Sequence, residues 1–322
     1  MTEPVVLTRG ATKRYGAQVA LDGLDLEVAP GTILGVIGPS GSGKTTAVRL
    51  LTGITAPTSG EVRVFGVDPA DFSPEQRASL GYMPQLGVLD PNLSLRENLH
   101  FVASLYGLPL RRRRRIREAL ALVEMEGDAR KLLRDASGGM QRRLALTAAL
   151  LHEPQLVFLD EPTAGIDPVL RATMWEHFDR LRAQGRTLVI TTQYVGEAAY
   201  CDRVAVVAAG RLLALDTPEG LRHRAFGGEL VDIEASERLP DDIPAVLLEI
   251  EGVLSAARTG TEGRGLRLLV GDAGAALPRV QRRLERDGLT VDSAEPRVPS
   301  YDEVFVALVR AGERPPAGRR VR

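Results

Sequence analysis

A chain of 322 residues, 44 % hydrophobic and 26 % charged, has the make-up of an ordinary globular protein and enough length for two domains, each with its own core. Its formal net charge of −1 supplies no global attraction to nucleic acid or to an anionic lipid surface. The single cysteine, Cys201, cannot form an internal disulfide and argues against a cysteine-held metal, so a reducing compartment is expected. The opening MTEPVVLTRG has neither the charged nor the apolar region of a signal peptide. No apolar run approaches the roughly 18–20 residues that span a bilayer. A protein of this kind that works at a membrane is held there by something else.

Residues 1–220 alternate short apolar runs with helical stretches, the pattern of an α/β layer on parallel strands. Strands are predicted over 32–37, 62–65, 156–159, 188–192 and 204–208. A first helix is expected over 46–53. Ser73-Pro74-Glu75-Gln76 is a capping box with proline at the first helical position, and Ser94-Leu95-Arg96-Glu97 is a second, opening a helix that stops near Gly107. The stretch 111–127 reads as a helix with Ile116, Leu120 and Val123 on one side. A helical insert of residues 86–153 thus separates the second strand from the third. Beyond about residue 220 the texture changes. Strands over 229–235, 253–261, 266–271 and 289–294 and helices over 243–251 and 274–287 suggest a small β-α-β-β-α-β sandwich, followed by a helix over 301–310. The expected domains are 1–222 and 223–312, with a disordered tail over 313–322.

Gly38-Pro39-Ser40-Gly41-Ser42-Gly43-Lys44-Thr45, followed by Thr46, fits the phosphate-loop pattern between a strand and a helix. Glycines let backbone N–H groups turn inward around a polyphosphate, and the following helix presents its positive end. Lys44 supplies a compact charge for the outer phosphates, and the Thr45 hydroxyl can ligate Mg2+. Only three of the 41 basic residues are lysine, Lys13, Lys44 and Lys131. An Arg-rich chain that keeps a lysine here uses its point charge. The apolar run Leu156-Val157-Phe158-Leu159 ends in Asp160-Glu161. Asp160 would sit beside the magnesium, directly or through water, and Glu161 is placed to polarise an attacking water as general base.

Ala136-Ser137-Gly138-Gly139-Met140, at the start of a helix and 23 positions before Asp160, could by itself be an N-cap and a flexible turn. Inside the helical insert of a phosphate-loop domain it resembles the signature of the ATP-binding-cassette (ABC) ATPases, usually LSGGQ. The resemblance spans about residues 4–220 and implies ATP and Mg2+ as ligands and a P-loop NTPase fold: a RecA-like core, an antiparallel β edge and a helical subdomain. It further implies that Tyr15 stacks on adenine, where the alternative is a core tyrosine. Gln85 would contact magnesium and the γ-phosphate and link the core to the insert. Asp167, in Gly165-Ile166-Asp167-Pro168, would lie on the loop that crosses to a partner subunit; aspartate before proline is also a helix N-cap, and both roles can hold.

Most cassette ATPases carry a histidine at the tip of the strand that here reads Leu188-Val189-Ile190-Thr191-Thr192, followed by Gln193. None of the four histidines (His100, His152, His177, His223) falls at a corresponding place. A glutamine can donate one hydrogen bond to a phosphate oxygen but cannot become cationic, so its contact is weaker and independent of pH. This variant, Ala136 and Met140 in the signature, and the segment Tyr301-Asp302-Glu303-Val304-Phe305 are similar to ATP-binding subunits of the daunorubicin-resistance type of drug exporter. In that family two copies pair head to tail. Lys44, Thr45, Asp160 and Glu161 would then act on an ATP that Ser137, Gly138 and Gly139 of the second copy close over, and the cycle would drive a separate transmembrane permease at the cytoplasmic face of the membrane. The alternatives are a soluble cassette ATPase acting on ribosomes or DNA, or another cargo such as a polysaccharide, haem or a lipid. The near-zero charge speaks against nucleic acid. The five arginines at 111–115 are either an anion-facing patch or a solvated helix end.

Overall fold

The computed structural model describes residues 3–85, 87, 89–109 and 111–313, the side chains of 312 and 313 excepted. Two compact units, Met1–Pro218 and Glu219–Arg322, divide the chain. Residue 86, where the insert was expected to begin, and the tail from 314 onward lie outside the described residues.

The first unit begins with β1 (Val6–Tyr15) and β2 (Gln18–Val28), an antiparallel pair that turns at Gly16, φ 59°. Then come β3 (Ile33–Ile37), α1 (Lys44–Leu51), β4 (Ser59–Val64), α2 (Pro74–Ala78) and β5 (Leu80–Met83). The insert holds α3 (Leu95–Leu105), α4 (Arg113–Leu122) and α5 (Gly138–Leu150). The chain returns through β6 (Leu156–Asp160), α6 (Pro168–Ala183), β7 (Thr187–Thr192), β8 (Arg203–Ala208) and β9 (Arg211–Asp216). Two sheets result: β2-β1-β4, antiparallel, and β5-β6-β7-β3-β8-β9, parallel except for β9. Every residue of β3, β6 and β7 is buried, which is why these strands read as unbroken apolar runs. Leu34, Val36, Leu50, Phe158 and Val189 lie in the core they share with the antiparallel sheet.

The insert has its own core, around Leu99, Ile116, Leu120 and Leu144. Both capping boxes form; Glu97 N–H donates to Ser94 Oγ at 3.2 Å while Ser94 N–H donates to Glu97 Oε2 at 2.8 Å, a device worth about 1 kcal/mol. The helix expected over 111–127 is shorter at both ends. Arg112 spends its guanidinium on Leu108 O and His100 O (3.0 and 2.9 Å), tying the approach to α3, and Glu124 at φ 57° ends the helical run. Of the arginine run, Arg115 pairs with Glu153 (3.0 Å) and Arg114 with Glu118, while Arg111 and Arg113 are exposed. The insert follows β5 rather than the 62–65 strand directly, because the four residues of β5 carry an interior glycine and no alternation to mark them. Among the described residues no helix is long and apolar enough to cross a membrane.

The second unit holds all but the first residue of α7 (Pro218–Phe226), then runs β10 (Glu229–Ala235), α8 (Ile243–Leu247), β11 (Val253–Thr259), β12 (Gly265–Val270), α9 (Ala273–Arg286), β13 (Val291–Arg297) and α10 (Tyr301–Glu313). The antiparallel order β11-β12-β10-β13 is that of a split β-α-β sandwich. Its core includes Val231, Ile233, Leu266, Leu268, Val280 and Leu284. The last strand starts two residues later and ends three later than the expected 289–294, and α9 keeps Pro278 inside its span.

Candidate functional site

The parallel strands aim their carboxyl ends at one edge, the usual place for a ligand in such sheets. β7 lies between β3 and β6, so its tip can touch the loop leaving each of these neighbours. After β3 the chain bends into the loop 38–43: Gly38 N–H donates to Thr192 O (3.4 Å), Ser42 N–H to Pro39 O (3.2 Å), and Gly43 (φ 104°) is the residue before α1. A Cβ at Gly38 would fall 2.1 Å from Val207 O, and one at Gly43 2.6 Å from Ala20 O, so both positions demand glycine. Gly41 also has positive φ (76°) but faces open space, as do the exposed Pro39 and Ser40 beside it. Thr45 and Thr46 are half-buried in the first turn of α1.

Lys44 is 4 % exposed, and its ammonium donates to Gly38 O (2.8 Å) and Pro39 O (3.1 Å) and lies 3.6 Å from Glu161 Oε1. Burial lowers its pKa, and the charges of Glu161 and Asp160 pull the other way. Gln85 Nε2 donates to the other oxygen, Glu161 Oε2, at 3.2 Å. Lys44, Gln85 and Glu161, drawn from three separate segments, therefore meet at one carboxylate. Glu161 itself stands at φ 52°, a left-handed conformation that costs a non-glycine residue about 1–2 kcal/mol. Its N–H is held by both Thr191 O (3.1 Å) and Thr191 Oγ1 (3.0 Å), which fixes the strained backbone.

Thr191 also donates its hydroxyl hydrogen to Asp160 Oδ1 at 2.5 Å. The second oxygen, Asp160 Oδ2, is buried with no hydrogen-bond partner among the described residues, and so is Ser42 Oγ. Unsatisfied buried oxygens of this kind point to a cation and a polar ligand. Gln193 stands exposed just past the tip of β7. No motif or spacing in the sequence assigns Thr191 a role. Two threonines at fully buried strand positions were the available signal.

Tyr15 is 46 % exposed at the end of β1, with Lys13 Nζ 5.2 Å from its ring centre, so it is not a core tyrosine. Asp167 caps α6: Oδ1 accepts from Val169 N–H (3.1 Å) and Leu170 N–H (3.0 Å). Ser137 caps α5, its Oγ accepting from Met140 N–H (3.3 Å). Around Gly138 and Gly139 there is open space. Ser137, Gly139, Gly165, Ile166 and Asp167 line one cavity of about 440 Å³. Lys44, Thr45, Asp160 and Glu161 do not line it. Ala136 and Met140, the two departures from the usual signature, are buried in the core of the insert, where hydrophobic size is what counts.

A glycine loop on a helix N-terminus, a buried lysine and two carboxylates at a strand end define a phosphate-loop nucleotide-binding domain. A family model described as ABC transporter matches residues 21–164. The chain is 40 % identical over 310 residues, 96 % of its own length and 96 % of the relative's, to the daunorubicin resistance ATP-binding protein DrrA3 of Streptomyces coeruleorubidus. It is 37 % identical over 238 residues, 73 % of this chain and 78 % of the relative, to a Nod factor export ATP-binding protein I of Cupriavidus metallidurans. Among solved structures, the dimeric post-hydrolysis state of the ATP-binding cassette MJ0796 with ADP and Pi matches with a TM-score of 0.61 and 26 % identity, over 66 % of this chain and 98 % of that one. The chain belongs to the ABC transporter family and is an ATP-hydrolysing, ABC-type ATPase.

Proposed function

We propose that this ATPase powers a drug or antibiotic exporter, working as two copies joined head to tail and coupled to a separate transmembrane permease that holds it at the cytoplasmic face of the membrane. One observation carries the pairing: Ser137 and Gly139 open into a cavity with Asp167, away from Lys44 and Glu161. A triphosphate on the loop 38–45 therefore needs a signature from elsewhere. A second copy turned head to tail supplies it, with the N–H groups at the start of α5 facing the γ-phosphate.

Each residue then has a task. The N–H groups of the loop and Lys44 cradle the phosphates, and Tyr15 stacks on the adenine. Mg2+ would be held by the Thr45 hydroxyl and by Asp160, with Gln85 beside it. The unpartnered Asp160 Oδ2 fits a hard cation, and no group of three His, Cys, Asp or Glu among the described residues stands ready to hold one without phosphate oxygens. When bound, the ion draws negative charge off those oxygens. Glu161 takes a proton from the attacking water, and Gln193 donates to the γ-phosphate. ATP binding closes the pair, and loss of the γ-phosphate that both copies grip reopens it. The motion passes to the permease beside Gln85, where the insert meets the core.

The drug cargo is supported by coverage. The two relatives named for daunorubicin resistance match 96 % and 92 % of this chain at 40 % and 39 % identity, against 73 % at 37 % and 88 % at 34 % for two named for Nod factor export. Sedimentation velocity of the Glu161→Gln protein tests the pairing: dimers form with saturating Mg-ATP and not with Mg-ADP. A variant that stays monomeric with ATP, alone and with its co-expressed permease, removes the head-to-tail site.

A further inference from the structure

Gln193 is exposed, so something other than packing must fix its direction. Its neighbours do. On one side, Thr192 O accepts Gly38 N–H (3.4 Å), tying the strand tip to the phosphate loop, and Thr192 Oγ1 accepts Tyr194 N–H (3.0 Å). On the other, Tyr194 O accepts Glu197 N–H (3.1 Å), and the Tyr194 ring lies 4.4 Å from the Arg171 guanidinium carbon. Arg171 comes from the first turn of α6, just after Asp167. Its Nη2 donates to Ile166 O (3.1 Å), and its Nε lies 3.8 Å from Glu197 Oε1. One planar cation thus reaches three things: the loop that carries Asp167, the ring after Gln193, and the carboxylate of Glu197.

Glu197 is 3 % exposed, and neither carboxylate oxygen has a hydrogen-bond partner among the described residues. Arg171 Nε is buried and equally unpaired among them. A buried carboxylate is expensive unless a cation faces it, and the partly exposed Arg171 guanidinium does so at 3.8 Å. Hydrogen-bonding distance is shorter, which leaves room for the pair to tighten. A lysine cannot replace this arginine, because a point charge cannot stack on a ring, face a carboxylate and bond a carbonyl in one plane.

We propose that Arg171 is a positioning residue for hydrolysis: it joins the Asp167 loop to the Gln193 strand tip and holds the Gln193 amide toward the γ-phosphate. A histidine at that place would add a charge-assisted contact; a neutral amide depends more on being aimed. The inference rests on the sensor role proposed for Gln193. It makes the partner's reading of Asp167 and the chain's own reading of the γ-phosphate one event, because both pass through Arg171.

The test is a double-mutant cycle of Arg171→Lys with Gln193→Ala, read as kcat, KM for ATP and the affinity for a fluorescent ATP analogue, with thermal melts to establish folding. Arg171→Lys lowers kcat about 5–20-fold and leaves nucleotide affinity within about twofold, and in the Gln193→Ala background it lowers kcat by less than about twofold. Effects that multiply overturn the proposal, since Arg171 then acts by another route. Slow turnover in Gln193→Ala with normal turnover in Arg171→Lys overturns it alone. Unchanged turnover in Gln193→Ala overturns the sensor role and this inference with it. Should Arg171→Lys melt early, Glu197→Gln perturbs the same joint, and kcat loss without the same non-additivity there is equally decisive.

Discussion

Replacing Glu161 by glutamine removes one proton acceptor and keeps nearly everything else. The glutamine side chain has the same length, and its amide oxygen can still accept from Gln85 Nε2, now 3.2 Å from Glu161 Oε2. Lys44 loses a countercharge at 3.6 Å but keeps the carbonyls of Gly38 and Pro39 at 2.8 and 3.1 Å and the neighbouring charge of Asp160. ATP affinity should therefore stay within about threefold of the native value, or less than about 0.7 kcal/mol. Loss of general-base help costs about 10²–10⁴ in rate, which is roughly 2.7–5.5 kcal/mol on the barrier. The two costs differ so much that the readouts separate cleanly. Steady-state phosphate release should collapse while binding of a fluorescent ATP analogue persists. Turnover within about tenfold of native would refute the base assignment. A parallel collapse of affinity would mean instead that Glu161 matters through Lys44, as a partner for its charge.

Charge and burial set two further outcomes. Gln193→His should raise turnover by about fivefold below pH 6.5 and lose that gain as the imidazole deprotonates, because a cationic donor contributes about 1 kcal/mol more than a neutral one; a native pH–rate profile that already bends at that pH, or a flat one in the variant, counts against the strand-tip contact with phosphate. His177, on α6, has its pKa lowered to about 4, first by burial and then by Arg180 and Arg186. The neutral form is the one the fold accepts, so its stabilising share is present above the unfolded value near 6.5 and is lost as pH falls toward 4. Thermal melts between pH 7 and 4 should fall less steeply in His177→Gln than in the native protein, and equal slopes would show that His177 charges freely in the fold.

What could be read from the chain and what could not divides along physical lines. The phosphate-loop pattern around Lys44 and the Asp160-Glu161 strand end are local in sequence, so they are legible in the chain alone. Fully buried parallel strands announce themselves by composition, as β3, β6 and β7 do. β5 did not, because four residues with an interior glycine carry too little pattern. The helix over 113–122 is shorter than the 111–127 periodicity implies, because periodicity sees Ile116, Leu120 and Val123 but not the side-chain bonds that occupy Arg112 or the backbone of Glu124 at φ 57°.

Thr191 and Arg171 lay out of sight for another reason. Each acts by joining separate segments: Thr191 bonds Asp160 and Glu161 across 31 and 30 positions, and Arg171 reaches Ile166, Tyr194 and Glu197 from one helix turn. Neither has a spacing rule, because the distance between partners is set by sheet order. Placing β7 between β3 and β6 is what lets a single strand tip hold the phosphate loop through Thr192, brace the strained Glu161 through Thr191, and present Gln193. If that tip shifted by one residue, Thr191 would leave Asp160 and Gln193 would leave its place together. On the sensor role proposed for Gln193, the chemistry depends on the strand below that amide staying in register with both neighbours, where Thr191 pairs with Val36 and Asp160 and Thr192 with Ile37.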